Sequence, residues 1–334
     1  MSKRRYSSVE FKAVDWHSLE QRLEGGRVVV AVDVAKEDFV ASVFAADQSA
    51  LVTFKWTHPE QSGEVLGRLR LLARNRTVEV ALEPSGTYGD ALVWQLRAAD
   101  IAVYRVSPKR VHDAAEVYDG VPSLHDAKAA SLIGRLHLQG VSQRWQEPSA
   151  ERRELRAILT QLEVCKARQQ AASNRLEAHL SRHWPESLQL LEPTSATLSG
   201  LIAAYGDAAA VRADPCGAEV LMQRLGRPGL SQEKIQAVLA SARHSIGVPC
   251  LPAERELLRW LAADLLEARK QLCELEQRIQ RRVEHTPVLA HLGEIIGQIS
   301  AAVLVAALGS PRDYPDAGSY TKAMGLNLKE RSSG

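Results

Sequence analysis

Residues 28–36 read VVVAVDVAK, an unbroken apolar run that ends in an acid, Asp33. A second apolar run at 77–82, TVEVAL, is followed directly by Glu83. Short unbroken runs of this kind are typical of strands that are buried on both faces of a sheet. A carboxylate at the tip of such a strand adds little to packing, but it can hold a hard divalent cation beside a second carboxylate. The two runs therefore predict a sheet with a metal site at one edge.

The order of predicted elements indicates the fold class. Three strands joined by short turn-prone links predict an antiparallel meander, and alternating helices and strands follow it. The predicted elements are strands at 27–34, 39–45 and 51–56, a helix at 59–75, a strand at 77–82, a helix at 88–98, a strand at 102–106 and a helix at 108–118. This order is that of a ribonuclease-H-like α/β domain, which we expect over 27–145 after an N-terminal extension at 1–26.

In that topology the strands that carry Asp33 and Glu83 are neighbours, and an acid on the last helix reaches the same point. Asp126, which opens the predicted helix DAKAASLI at 126–133, is that acid. Three converging carboxylates cannot all stay ionised without a cation. Two Mg²⁺ or Mn²⁺ ions about 4 Å apart would neutralise them and clamp a phosphodiester. The alternative is that Asp33 starts a turn and Glu83 caps a helix, with no metal involved.

Composition excludes several classes of protein. The 334 residues are 45% hydrophobic and carry a net charge of only +2, so nucleic-acid binding would require locally clustered basic residues. Aromatic residues make up 5%, too few for broad base-stacking platforms. The four cysteines lack the spacing of a zinc site. No signal peptide or run of about 18 apolar residues is present, so a cytoplasmic protein without a membrane partner is expected.

The second half of the chain is predicted to be helical. Charged segments at 150–182 and 253–284 carry sparse apolar stripes with steps of three and four residues. We interpret 150–285 as a coiled-coil hairpin with a helical insertion at 183–252, or as a dimer arm. A small, mostly α-helical C-terminal domain is expected over 286–334.

Three short motifs stand in order along the N-terminal half: VAVDVAK at 30–36, LEPSGTY at 82–88 and DGVPSLHDAK at 119–128. They resemble motifs of the insertion-sequence one-ten family of DEDD transposases, which are related to Piv-type DNA invertases. The C-terminal segments 297–302 and 325–334 resemble the second domain of that family, in which a helix-hairpin-helix-like turn precedes a serine pair. The resemblance spans nearly the whole chain.

The resemblance implies a RuvC-like N-terminal domain whose acids bind Mg²⁺ or Mn²⁺. Asp33, Glu83 and Asp126 match the first three acids of the family pattern. Ser333, or else Ser332, matches the nucleophile, which would become covalently linked to DNA. The family also implies donor and target DNA, a structured bridge RNA as guide, and a homo-oligomer (dimer or tetramer) formed through the coiled coil.

The sequence departs from the family pattern at three places. The fourth acid falls on Ala129, which cannot bind a metal, and Asp119 could replace it only if a loop brought it near. The first glycine of the hairpin turn falls on Ile295. The basic stretch that follows the serine pair in the family is missing, so we expect a C-terminally truncated chain.

Basic side chains in the motifs and on two predicted helices are candidates to contact phosphates. Such contacts would position nucleic acid and give strong salt dependence without reading sequence, which RNA pairing would supply. A solvated helix face is the alternative. The candidates are Lys36, Lys109, Arg110, His125, Lys128, Arg278, Arg281 and Arg282, with His112 on the same helix as Lys109.

Three functions remain open at this point. The leading hypothesis is a DNA transposase or recombinase that cuts and rejoins DNA through a serine-linked intermediate, with a Mg²⁺-dependent acidic site and an RNA guide. The second is a catalytically disabled RNA- and DNA-binding scaffold of the same family, because Ala129 replaces an acid. The third is a RuvC-like nuclease that hydrolyses DNA without a covalent intermediate.

Overall fold

The apolar run at 28–34 becomes the central strand of the N-terminal unit. The structure, a computed structural model, describes residues 6–23, 26–226 and 229–326. The chain divides between Glu147 and Pro148 into two units.

A mixed sheet forms the centre of the first unit. In the described residues its strands are β1 (Val9–Glu10), β2 (Arg27–Val34), β3 (Asp38–Phe44), β4 (Ala50–Thr57), β5 (Thr77–Leu82), β6 (Ala102–Arg105) and β7 (Gln143–Arg144). Their order across the sheet is β1-β4-β3-β2-β5-β6-β7. The strands β2, β3 and β4 are antiparallel, whereas β2, β5 and β6 are parallel. The predicted α/β fold with a ribonuclease-H-like strand order is confirmed.

Helices cover both faces of the sheet, which explains why β2 is apolar at nearly every position. They are α1 (Trp16–Arg22), α2 (Ser62–Ala73), α3 (Asp90–Arg97), α4 (Pro108–Asp113) and α5 (Asp126–Leu138). Val28, Val30 and Val32 pack with residues of α2 and α3 on one face. Val29 and Ala31 pack with residues of α4 and α5 on the other. Successive side chains alternate between the two faces, so Asp33 belongs to the face that α5 covers.

The structure differs from the predicted elements in three details. The helix that starts at Pro108 ends at Asp113 instead of 118, and turns follow it. The two-residue strand β7 was not predicted. Part of the predicted extension is packed: Phe11 and Trp16 contact Phe54 of β4, with ring centroids 5.8 and 5.6 Å apart. These aromatic contacts and the pairing of β1 with β4 join residues 9–23 to the core.

Two long antiparallel helices dominate the second unit. The helices described there are α6 (Ala150–His183), α7 (Pro185–Leu190), α8 (Ala196–Tyr205), α9 (Ala208–Ala213), α10 (Pro215–Gly226), α11 (Gln232–Arg243), α12 (Pro252–Glu284), α13 (Pro287–Ile296), α14 (Gln298–Leu308) and α15 (Ala317–Ala323). Ion pairs Arg168–Asp264 and Arg282–Glu154 link α6 to α12. Buried leucines of both helices meet between them. Supercoiling and assembly through this pair stay predictions.

The end of α14 is held against α6 by two arginines. The Nε atoms of Arg152 and Arg156 donate to the carbonyl oxygen of Ala306 at 3.0 and 2.6 Å. These bonds supply partners for carbonyl groups that a helix leaves unpaired at its C-terminus. Gly297, between α13 and α14, has φ of 85°, a conformation that favours glycine. Within the described residues, no helix combines the length and apolar character that a membrane crossing requires.

The contact between α5 and the sheet allows no added methyl group at Gly134. A Cβ there would lie 2.1 Å from Phe44 Cε2, whereas a Cβ at Gly67 of α2 would meet nothing within 4 Å. We expect Gly134→Ala to lower the free energy of unfolding by about 1–3 kcal/mol through overpacking. Gly67→Ala, the matched control, should raise it by about 0.5–1 kcal/mol through helix propensity. Urea denaturation measures both, and equal effects of the two substitutions would contradict the packing argument.

Candidate active site

Strand register places Asp33 and Glu83 at neighbouring strand ends. The parallel pairing of β2 with β5 sets Val32 opposite Leu82, so the next residues on both strands are the two acids. Ala31 and Ala81 pack in the cluster that contains α5 residues, and the acids two positions later share that face. Both carboxylates are therefore directed to the side of the sheet that α5 covers.

Asp126 reaches the same place from the first turn of α5. Ala127 and Ala130 of this helix pack on Val40, which is paired with Asp33 across β2 and β3. Burial, followed by the charges of Asp126 and Glu83, raises the pKa of Asp33 to about 6, although the Val34 amide opposes the rise. Burial also raises the pKa of Glu83, against the opposing charge of His112 on α4. The structure thus brings the three predicted acids into one electrostatic neighbourhood.

The donor set suits a hard cation, because all three side chains offer carboxylate oxygens. A divalent ion would offset both the burial of Asp33 and its repulsion from the other two acids, which together raise the pKa of Asp33 to about 6. Among the residues that the structure describes, however, no three His, Cys, Asp or Glu side chains are grouped closely enough to hold a metal ion. The three acids fit a metal by charge and chemistry, and side-chain movement would have to complete its coordination.

The fourth position of the acid pattern is filled by a buried methyl group. Ala129 lies one helical turn after Asp126 and is 8% exposed. Asp119 is engaged elsewhere in the structure. Its carboxylate instead accepts hydrogen bonds from Lys128 Nζ at 2.8 Å and from the Val121 amide at 3.0 Å.

Lys128 requires a correction, because it was predicted to contact nucleic acid. Its side chain is 2% exposed, and its ammonium donates to Asp119 and, at 2.6 Å, to the carbonyl oxygen of Val121. Burial of a charge is tolerated only when the charge is paired and hydrogen-bonded, as it is here. Lys128 therefore ties residues 119–121 to α5 and has no ammonium to offer to a phosphate.

The other predicted basic residues lie in two places. Lys36, Lys109, Arg110 and His125 are exposed and belong to the unit that carries the acids. Arg278 and Arg281 are exposed on α12, where Arg282 instead pairs with Glu154 at 2.7 Å. Ser332 and Ser333, the predicted nucleophiles, lie outside the described residues.

A match to a known family covers the acids. Residues 30–185 match the model of the DEDD transposases of the insertion-sequence one-ten family, which is described as "Transposase". Over residues 30–185 the chain matches a DEDD transposase. The matched segment includes all three acids, Ala129 and the whole of α6, so the transposase resemblance seen in the motifs is confirmed.

The similarities to solved structures are weak. RuvC of Thermus thermophilus in complex with a Holliday junction substrate is 18% identical, with a TM-score of 0.27, over 36% of this chain and 99% of that chain. Thermus thermophilus RuvC in another structure is 15% identical, with a TM-score of 0.26, over 35% and 99% of the two chains. The ethanolamine utilization protein EutJ of Carboxydothermus hydrogenoformans is 12% identical, with a TM-score of 0.21, over 75% and 99%. Scores this low carry no argument, and no curated protein matches.

We predict that Asp33→Asn makes the metal-free protein more stable at neutral pH. Because the folded-state pKa of about 6 exceeds the ordinary 3.8, the folded chain binds this proton more tightly than the unfolded chain. Ionising Asp33 therefore costs stability as pH rises through 6, and the cost disappears below about pH 4. At pH 8, after allowance for the half-exposed side chain, the gain should be about 1–2 kcal/mol.

Chemical denaturation at pH 8 and pH 4 measures this gain. Glu60→Gln, which removes an exposed carboxylate of the same unit, is the control and should change little at either pH. A gain that is equal at the two pH values would contradict the electrostatic origin.

We predict that Lys128→Met destabilises the fold without changing the salt dependence of DNA binding. The substitution removes a buried ammonium that binds both the Asp119 carboxylate and the Val121 carbonyl, which should cost about 2–4 kcal/mol. The matched control, Lys109→Met, removes an exposed lysine of α4 and should alter stability by less than about 0.5 kcal/mol. Urea unfolding and DNA titration at several salt concentrations measure both effects. A reduced salt slope for Lys128→Met would restore this residue as a phosphate contact.

Proposed function

We propose that the protein is a DNA transposase or recombinase that cuts and rejoins DNA through a serine-linked covalent intermediate. The observation that carries the proposal is the convergence of Asp33, Glu83 and Asp126 inside the segment that matches the transposase family. A half-buried acid whose pKa is raised by burial and by two neighbouring carboxylates is costly to the fold, and such groups are characteristic of active sites.

Asp33, Glu83 and Asp126 would hold Mg²⁺ or Mn²⁺. When bound, the metal supplies charge stabilisation to the phosphate under attack. The carboxylates must be ionised to bind the metal. Because the pKa of Asp33 is about 6, this side chain is protonated in mildly acidic solution and must lose its proton first. Exposed Lys109 and Arg110 on α4, the helix whose His112 acts on Glu83, would orient the DNA backbone.

Ser333, or else Ser332, would supply the nucleophile. Its hydroxyl loses a proton as its oxygen bonds to phosphorus, and the deoxyribose oxygen leaves and is protonated. The new phosphoserine ester keeps the energy of the broken phosphodiester. A DNA hydroxyl can therefore reverse the exchange on a new partner without ATP.

A bridge RNA would select the donor and target sites. Few aromatic residues are available to stack on bases, and sequence could be read entirely by RNA–DNA pairing. In that case the protein recognises helix shape and backbone only. The antiparallel pair of α6 and α12 would join copies of the chain into a dimer or tetramer.

Ala129 supports a second candidate function, a catalytically disabled scaffold that still binds RNA and DNA. A buried methyl group stands where the family pattern has an acid, and Asp119 is bound to Lys128 instead of replacing it. A metal site short of one ligand would bind its ion weakly.

The serine mechanism is tested with the protein, any RNA that co-purifies with it, and a labelled duplex spanning the DNA that flanks its reading frame. In Mg²⁺ we expect a protease-sensitive protein–DNA adduct that one of Ser333→Ala and Ser332→Ala abolishes. An adduct that survives both substitutions would rule out these serines. Cleavage without any adduct would favour a hydrolytic nuclease.

Ala129→Asp separates the transposase from the scaffold. The transposase proposal expects the adduct from the unmodified chain, and the scaffold expects it only after this substitution. Ala127→Asp, an equally buried position on the first turn of α5, is the matched control and should not create activity.

A further inference from the structure

A cleft of about 470 Å³ adjoins the acidic site on the side away from Glu83. Val40 and Ala127 contribute apolar lining, and the polar lining comes from Tyr6, Ser7, Ser8, Lys55, His125 and Asp126. The cleft therefore shares one side chain, Asp126, with the candidate metal site. The sequence did not indicate it, because Tyr6 and Lys55 are far from the motifs.

Strand register aligns the cleft with the acids. Lys55 of β4 is paired with Val40 of β3, which is paired with Asp33 of β2. Residues directly opposite each other in a sheet share a face, so Lys55 and Asp33 lie in one row, two strand spacings or about 10 Å apart. A nucleic-acid strand that places one phosphate at Asp33 can thus place a neighbouring phosphate at Lys55.

Tyr6 lines one side of the cleft. The Tyr6 ring packs against the Val40–Ala127–Ala130 cluster and meets His125 edge-on, with ring centroids 6.1 Å apart. Its hydroxyl is buried and has no hydrogen-bond partner among the residues that the structure describes. Buried polar groups in proteins are nearly always paired, so this hydroxyl has a hydrogen bond to offer at the edge of the cleft.

The Lys55 ammonium lies at the surface in an ion pair. Its Nζ pairs with Glu10 at 3.1 Å, and the side chains are 43% and 64% exposed. Asp38 and Asp126 are the other carboxylates whose charges act on it, and together with Glu10 they raise its pKa. An exposed ion pair is weak, so a phosphate can exchange with Glu10.

We propose that this cleft binds a phosphodiester of the DNA strand that is cut, next to the phosphate that reacts at Asp33. The Lys55 ammonium pairs with the phosphate oxygens, and the hydroxyls of Ser7, Ser8 and Tyr6 donate further hydrogen bonds. The inference rests on the proposed function, because the acids define which phosphate is cut. It adds a second phosphate-binding position, which determines which phosphodiester of the DNA strand lies at Asp33.

The test uses the protein, any RNA that co-purifies with it, and DNA duplexes that each carry one neutral methylphosphonate among the phosphates flanking the cut. We expect one position to weaken binding to the unmodified protein about tenfold. In Lys55→Met the same methylphosphonate should cause no further loss, because its partner is already gone. Lys55→Met should also reduce the salt slope of binding by about 1.

Lys55→Arg keeps the charge and should restore binding, which also shows that position 55 tolerates substitution. Lys12→Met removes another exposed lysine of the same unit and should leave the methylphosphonate pattern unchanged. Equal sensitivity of Lys55→Met and the unmodified protein at every position would overturn the subsite. If neither the unmodified protein nor any variant forms a DNA adduct, but Lys55→Met still removes the sensitivity to the methylphosphonate, the serine mechanism is wrong and the phosphate subsite is supported.

Discussion

The parallel pairing of β2 with β5 is the constraint on which the rest of this structure depends. It places Asp33 and Glu83 at adjacent strand ends and on one face of the sheet. Both strands are held in register by their neighbours, so the two acids stay side by side. Burial, followed by the charges of Asp126 and Glu83, then raises the pKa of Asp33 to about 6, and this arrangement costs the fold stability at neutral pH.

The helix α5 must be held closely against this face for Asp126 to contribute. One attachment is steric, because Gly134 lets the helix approach Phe44 without an intervening methyl group. The other is electrostatic, because the buried Lys128 ammonium binds Asp119 and the Val121 carbonyl just before the helix begins. These contacts fix both the helix and the loop that leads to it, and so they determine where Asp126 lies.

Local sequence signals predicted much of the fold and the acids but missed most of the surrounding contacts. The apolar runs identified β2 and β5, and the order of elements predicted the sheet, because hydrophobic periodicity is a local property. The inward direction of Lys128, the packing of Phe11 and Trp16 on Phe54 and the row from Lys55 to Asp33 were not predicted. Each of these joins residues that are separated in the chain or depends on which helix face is covered.

By itself, the sequence determined the identity of the three acids, the strands that carry two of them, and the family that residues 30–185 match. These follow from short motifs and from runs of residue types whose meaning does not depend on distant neighbours. Only the tertiary structure decided that Asp119 pairs with Lys128 and that Lys55 lies in line with Asp33. The physical reason is that burial and cross-strand register arise only when separate segments of the chain pack together. They determine whether a charged side chain is exposed to solvent, paired with an opposite charge or placed near a like charge.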